Sequence, residues 1–224
     1  MSLCFGFMVC RLYHDKRTRS LWEVVCKRLV KKGWDCLLFG GFEQMDEIPI
    51  IKICERDDYL SNKDKTFGIL RYYGNLDYDW YFIGDDDTFI NVDNMERLVA
   101  SLGGGELGLY GCVDWTSDEP KILHAHGGAG YLMNRETLLE LMGYVGRVGF
   151  VEHELYGDVS LARTIYCYNR EKEREGKDCM KFSRVGDMFN PWVDLKYIDI
   201  SKCITIHVKD RVSFLELEKR AYGV

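Results

Sequence analysis

Apolar residues recur along the first hundred positions in two alternating rhythms. Apolar runs, "CFGFMVC" (4–10), "WDCLLFGG" (34–41) and "YDWYFIG" (78–84), read as strands, the first buried and the last covered on both faces, with "IPIIKIC" (48–54) a shorter one. Between them the spacing becomes helical. In "RTRSLWEVVCKRLVKKG" (17–33), Leu21, Val24, Val25, Arg28 and Leu29 fall at helical intervals, and Gly33 supplies a stop. "DKTFGILRYY" (64–73) repeats the pattern with Asp64 at its start, and "NVDNMERLVASLG" (91–103) opens near Asn91 or Asp93 and closes at Gly103. Strand and helix in alternation predict an α/β sandwich with a largely parallel sheet.

The second half is less regular. "GLYGCV" (108–113) predicts a strand, "HAHGGAGYLMN" (124–134) a glycine turn entering a strand, and "RETLLELMGYV" (135–145) a helix. "YGDVSLARTIYCYNR" (156–170) is helical with Asp158 in its first turn, "REKEREGKD" (170–178) reads as a charged, solvated link, and "CITIHVKD" (203–210) as a strand carrying His207. No repeat or low-complexity segment interrupts the pattern, so one domain over residues 1–224 is expected.

The stretch "WYFIGDDDTFINV" (80–92) sets Asp85, Asp86 and Asp87 side by side behind an apolar run. Like charges this close raise one another's pKa and cost free energy unless a cation or hydrogen-bond donors compensate. Hard carboxylate oxygens suit a divalent cation that also takes phosphate oxygens. In doubly wound α/β folds ligands bind beyond the carboxyl ends of the strands, which is where the trio falls.

In this context the trio resembles the DxD motif of nucleotide-sugar glycosyltransferases with the GT-A fold. "YDWYFIGDDDTFINVDNMERLVASL", "DDYLSNKDKTFGILRYY", "GGAGYLMNRETLLEL" and "GDMFNPW" followed by "CITIHVKD" are similar, in family order, to segments of the fringe-like and core 1 β3-galactosyltransferase-like inverting enzymes. The matches run from about residue 9 to 210. The resemblance implies a GT-A fold, a Rossmann-like sandwich with a mixed central sheet flanked by helices, with residues 1–100 as its nucleotide-sugar half and 101–224 as its acceptor half. It implies Mn²⁺ or Mg²⁺ as cofactor, a UDP-sugar donor, and a glycan or glycoprotein acceptor. Asp87 would be the principal metal ligand, with Asp85 and His207 beside it and Asp86 in support. Arg11 and Arg17 would reach the uracil or diphosphate, Asp58 the nucleoside, and Lys65 a phosphate or Asp85.

Gly127, Gly128 and Gly130 lack a Cβ, so the "HGGAGY" turn can approach a sugar closely; Gly128, Ala129 and Gly130 are expected to wall the donor or acceptor. His124 and His126 read as solvent or turn residues. An inverting transfer needs one carboxylate base. Asp158 matches the family position, with Glu152 and Glu154 as neighbouring alternatives and a helix-capping role as its bland one. The family shows an acidic pair here, whereas Gly157 stands in the first place, which keeps a catalytically inactive, lectin-like member in view. A phosphohydrolase or nucleotidyltransferase would call for a second acidic cluster, and Asp114, Asp118 and Asp187 are scattered.

Composition narrows this further. The chain has 224 residues, 46% of them hydrophobic, and a formal net charge of −6, which argues against nucleic acid as a partner. No window approaches the ~18 apolar residues that span a bilayer, and "MSLCFGFMV" lacks the charged start of a secretory signal. A complete chain would be expected in the cytoplasm, a trimmed catalytic domain in the Golgi lumen. Nine cysteines without a CxxC pair disfavour a zinc-cysteine site and suggest buried thiols.

Overall fold

The computed structural model describes residues 1–223 apart from 45, 118, 154–155, 186–188, 192–197 and 210–212. Strand β1 (Leu3–Met8) is buried along its whole length, as its unbroken apolar run predicts. A helical run over residues 14–31 follows, in which α1 (Arg19–Leu21) and α2 (Lys27–Lys31) alternate with π turns His14–Thr18 and Trp22–Cys26. Next come β2 (Asp35–Gly40), β3 (Ile51–Lys52), α3 (Asn62–Tyr73), β4 (Trp80–Asp85), β5 (Thr88–Ile90) and α4 (Val92–Leu102). The second half adds β6 (Gly108–Gly111), β7 (Val113–Trp115), β8 (Leu123–Ala125), β9 (Tyr131–Asn134), α5 (Arg135–Val148), α6 (Gly157–Glu175), β10 (Lys181–Arg184), β11 (Phe189–Asn190), β12 (Thr205–His207) and α7 (Phe214–Tyr222).

Seven strands make one mixed sheet in the order β10-β6-β9-β4-β1-β2-β3, so both halves of the chain feed a single sheet. The β4-β1-β2-β3 portion is parallel, and β9 runs antiparallel to both β4 and β6. Successive side chains of a strand point to opposite faces. Leu3, Phe5 and Phe7 of β1, with Trp80 and Phe82 of β4, accordingly join a core with Leu21, Val25 and Leu29 of the first helical run, Met95 and Leu98 of α4, and Leu217 of α7. Cys4, Met8, Tyr81 and Ile83 look the other way, onto Leu70 of α3, Leu141 of α5 and Ile165 of α6. This is the mixed sheet flanked by helices expected from the sequence. The cysteines form no disulfides among the described residues, and no helix there is long and apolar enough to cross a membrane.

Several boundaries differ from the sequence reading. Helix α3 begins at Asn62 rather than Asp64, because Asp58 caps a preceding 3-10 turn by accepting from Ser61 N at 2.9 Å. Helix α6 runs on through the charged stretch to Glu175. Its polar side chains lie on the solvent side, Arg147 of α5 pairs with Glu171 at 2.8 Å, and Gly176 ends it in a left-handed conformation. Helix α7, not anticipated, buries Phe214 and Leu217.

One polar residue fixes the α5 start. Asn134 accepts from Thr137 N at 2.9 Å and donates to Gly104 O at 2.8 Å, while only 3% exposed. Asn134→Ala removes the cap and strands the buried Thr137 amide; a loss of about 1–3 kcal/mol is expected in urea unfolding.

Candidate active site

The parallel strands β1 and β4 end side by side, with Met8 opposite Asp85. Beyond that edge Asp86 and Asp87 make a two-residue turn into β5, which pairs antiparallel with β12 so that His207 stands opposite Thr88. The pairing brings His207 Nε2 to 3.3 Å from Asp87 Oδ1, and Val208 N donates to the Asp87 carbonyl at 2.8 Å. Thr88 Oγ1 accepts from Asp85 N at 2.9 Å and donates to Gly128 O at 3.0 Å; Thr205 Oγ1 donates to Ala129 O at 2.5 Å. The glycine turn is thereby latched to both strands that carry the acids and the histidine.

A cleft of about 830 Å³ opens here. Arg17, Asp58, Lys65, Asp85, Asp86, Asp87, Gly128, Asp158 and His207, drawn from separate stretches of sequence, all line it. Arg11, Ala129 and Gly130 do not. The Arg11 guanidinium lies 5.2 Å from the Phe42 ring, whereas Ala129 is fully buried and Gly130, at φ +74°, packs against Phe82. Ala129 and Gly130 back the wall from behind, whereas Arg11 is exposed. Lys65 departs from its expected partner: it donates to Val9 O at 2.9 Å and to Asp57 Oδ1 at 2.8 Å rather than holding Asp85. Asp57, which the sequence reading does not single out, also accepts from Arg11 N at 2.7 Å and Gly41 N at 3.2 Å. Although burial pushes its carboxyl up, Lys65 and these amides hold it below the ordinary value.

Asp86 and Asp87 are buried and Asp85 is half-buried, and the three charges are under-compensated. Burial, followed by the charge of Asp87, pushes Asp85 up to about 8, and the same two causes push Asp86 up to about 7. Arg17 stands against them, 2.9 Å from Asp87 Oδ2 and 3.6 Å from Asp86 Oδ1, with its guanidinium over the Tyr13 ring at 4.2 Å. Asp86 Oδ2 is buried without a hydrogen-bond partner. An orphaned carboxylate oxygen among three acids and an imidazole fits a divalent cation such as Mn²⁺, which accepts both oxygen and nitrogen donors. Asp85, Asp87 and His207 do not bring their ligand atoms within 4.8 Å of one another, so coordination by all three requires a side-chain rotation.

These shifts carry a pH signature. Because the buried acids hold their protons above the unfolded-chain value, the native state binds more protons than the unfolded one between about pH 4 and about pH 8. Stability in chelator should therefore fall as pH rises through that window, by roughly 2–5 kcal/mol with coupling counted. Calorimetry should find a lower melting temperature at about pH 8 than at about pH 5.5, and added Mn²⁺ should narrow the difference.

Asp158 faces the trio across the cleft from the first turn of α6. Its Oδ2 accepts from Gly127 N and its Oδ1 from Val159 N, both at 2.9 Å. Gly157 has a steric reason: a Cβ there would run into the Thr66 hydroxyl and come within 2.8 Å of Asn62 O, where α6 meets α3. Glu152 is exposed and paired with Lys63 at 2.5 Å, outside the cleft lining. Glu154, Asp118, Asp187 and most of the "GDMFNPW" segment lie outside the described residues. His124, expected at the solvent or in a turn, is instead buried on β8, and it lines the cleft with His126.

Gly128 tests the latch. A Cβ there would come within 2.4 Å of His207 Cε1 and Nδ1. Gly128→Ala is expected to displace that ring and weaken Mn²⁺ binding by about tenfold or more in titration calorimetry, with little change in melting temperature.

The architecture is the GT-A fold of glycosyltransferases. It is similar to a glycosyltransferase involved in glycosylation of the major capsid of PBCV-1, with a TM-score of 0.55, 12% identity and 99% of each chain covered. It is also similar to the glycosyltransferase GlyE of Streptococcus pneumoniae TIGR4, with a TM-score of 0.51, 13% identity and 97% of this chain and 60% of that one covered. A Bacillus anthracis protein described as a glucose-1-phosphate thymidylyltransferase scores 0.51 at 10% identity over 100% of this chain and 96% of its own, so fold alone does not select the reaction.

No family model matches the chain. Sequence similarity is to glycosyltransferases. Human chondroitin sulfate synthase 3 is 27% identical over 188 residues, which is 75% of this chain and 20% of that protein. Human chondroitin sulfate glucuronyltransferase is 32% identical over 88 residues, 39% of this chain and 11% of that protein. The chain thus spans about a fifth or less of these relatives, and what it shares with them is homology to glycosyltransferases.

Proposed function

We propose that the protein is an inverting, metal-dependent glycosyltransferase of the fringe-like and core 1 type. It moves a hexose, N-acetylhexosamine or related sugar from UDP to a hydroxyl of a glycan or glycoprotein. The observation that carries this reading is the acidic trio at the strand ends, buried against Asp87's partner His207 and facing Asp158 across one cleft. Homology to proteins named for chondroitin sulfate synthesis supports a glycan acceptor.

Asp85, Asp87 and His207 would hold Mn²⁺, which would supply Lewis-acid neutralisation of the diphosphate as UDP departs. Arg17 adds a fixed guanidinium beside the leaving group, suited to phosphate oxygens. Lys65, held by Asp57 and Val9, keeps the floor of the cleft polar and rigid. Asp158 would remove the proton from the acceptor hydroxyl as that oxygen attacks the sugar carbon from the face opposite UDP. Its two backbone amide donors orient the carboxylate. Because both of its oxygens are already engaged by the backbone, the geometry also accommodates a competing reading, a glycan- or nucleotide-binding member without turnover.

UDP release from a panel of UDP-sugars, including UDP-glucuronic acid, separates the two. Turnover that requires Mn²⁺ and stops with chelator is the expected result. UDP-sugar binding without turnover across donors and glycan acceptors would establish the binding-only reading.

A further inference from the structure

We propose that His124, His126 and Asp158 form a second divalent-cation site, distinct from the acidic trio and suited to zinc. The ligand atoms of the three residues all lie within 4.8 Å of one another. A tetrahedral zinc with bonds of about 2.0–2.1 Å places its donors ~3.3 Å apart, so small side-chain rotations close the set. The topology presets it. His124 sits on β8, and His126 continues the same edge, its N donating to Cys112 O at 2.9 Å, so period-two alternation directs both rings to one side. Their centroids are 4.9 Å apart. The Gly127 amide, next in the chain, binds Asp158 Oδ2 at 2.9 Å and ties the α6 start to the histidine pair.

The outer shell is also in place. His124 Nδ1 lies 3.1 Å from the carbonyl of Asp114, its cross-strand partner on β7. A carbonyl only accepts, so Nδ1 carries the proton and Nε2 keeps its lone pair. A ligating histidine whose other nitrogen donates to a backbone carbonyl is the arrangement that orients metal-binding imidazoles. Two imidazoles and one carboxylate select zinc, whereas the oxygen-rich trio selects Mn²⁺ or Mg²⁺. Asp158 cannot ligate zinc and accept a proton from an acceptor hydroxyl at once. Zinc should therefore inhibit transfer, a consequence that rests on the base role given to Asp158 above.

Cobalt titration of the full chain in excess Mg²⁺, followed by zinc displacement, tests the site. The expected result is one cobalt ion with visible d–d absorption and no thiolate charge-transfer band. His124→Asn and His126→Gln should weaken it by more than about 100-fold, beyond what loss of an outer-shell partner costs, while Asp87→Asn leaves it unchanged. Diethyl pyrocarbonate labelling of the unmodified protein adds a measure that needs no variant: zinc should protect His124 and His126 but not His153. Unchanged spectra in the histidine variants, a thiolate band, loss in Asp87→Asn, or absent protection overturns the site. Zinc bound at the histidine pair without inhibition upholds the site and overturns the assignment of Asp158 as base.

Discussion

Asp87→Asn is expected to lower UDP-sugar turnover by about a thousandfold or more, the scale of several kcal/mol of leaving-group stabilisation. Asp87 is the point where the site's interactions meet: Arg17 at 2.9 Å on one oxygen, His207 at 3.3 Å on the other, and the Val208 amide, just past β12, on its carbonyl. Asparagine keeps the shape and the backbone bond but removes the charge that a cation requires. The protein itself should be no less stable, because Asp87 is a leading cause of the raised pKa of both Asp85 and Asp86. Thermal unfolding in chelator at about pH 7.5 should show an unchanged or higher melting temperature, so lost turnover with a preserved melt is the signature of a lost cation site. Retained Mn²⁺-dependent turnover would remove Asp87 from the metal set.

Asp158→Asn should lower kcat by about 10²–10⁴-fold while the donor KM changes little, since a positioned base contributes on that scale only when the proton moves. The asparagine oxygen can still accept from Gly127 N, so the turn that Asp158 braces at 2.9 Å is preserved. A purely structural role for Asp158, as a first-turn acid of α6, would instead leave kcat nearly intact and cost a few tenths of a kcal/mol to about 1 kcal/mol of stability. The kcat effect and the stability effect are read on the same preparation, which makes the two roles separable. If Glu152 were the base, its substitution rather than that of Asp158 would carry the loss, although the ion pair with Lys63 holds it outside the cleft.

Much of this arrangement was legible in the chain because it is local. The apolar runs of β1 and β4 announce buried strands, and the three acids after Ile83 and Gly84 mark where the covered strand ends. Asn91 and Gly103 bracket α4 as their chemistry predicts. What escaped was set by partners distant in sequence. The strands β7, β8, β10 and β11 are two to four residues long, too short for a period to show, and they exist because a neighbour completes their hydrogen bonds. Choosing between Asp57 and Asp58 required knowing that the second caps a 3-10 turn, which leaves the first for Lys65. The charged composition of residues 170–175 hid the last turns of α6, whose apolar stripe ends near Tyr168 while its ion pairs to α5 continue. His124 was misread because a histidine in a glycine-rich segment looks solvated until the β7 strand covers it.

The claim on which the rest depends is that the acidic trio grips a divalent cation together with a nucleoside diphosphate. A crystal of the protein with Mn²⁺ and UDP, measured at the manganese absorption edge, addresses it directly. The account predicts an anomalous peak touching Asp87 and His207, with the diphosphate oxygens on its open side and Arg17 beside them. Ordered UDP with no manganese at the trio, or manganese bound elsewhere while Asp87 keeps its pairing with Arg17, would contradict it.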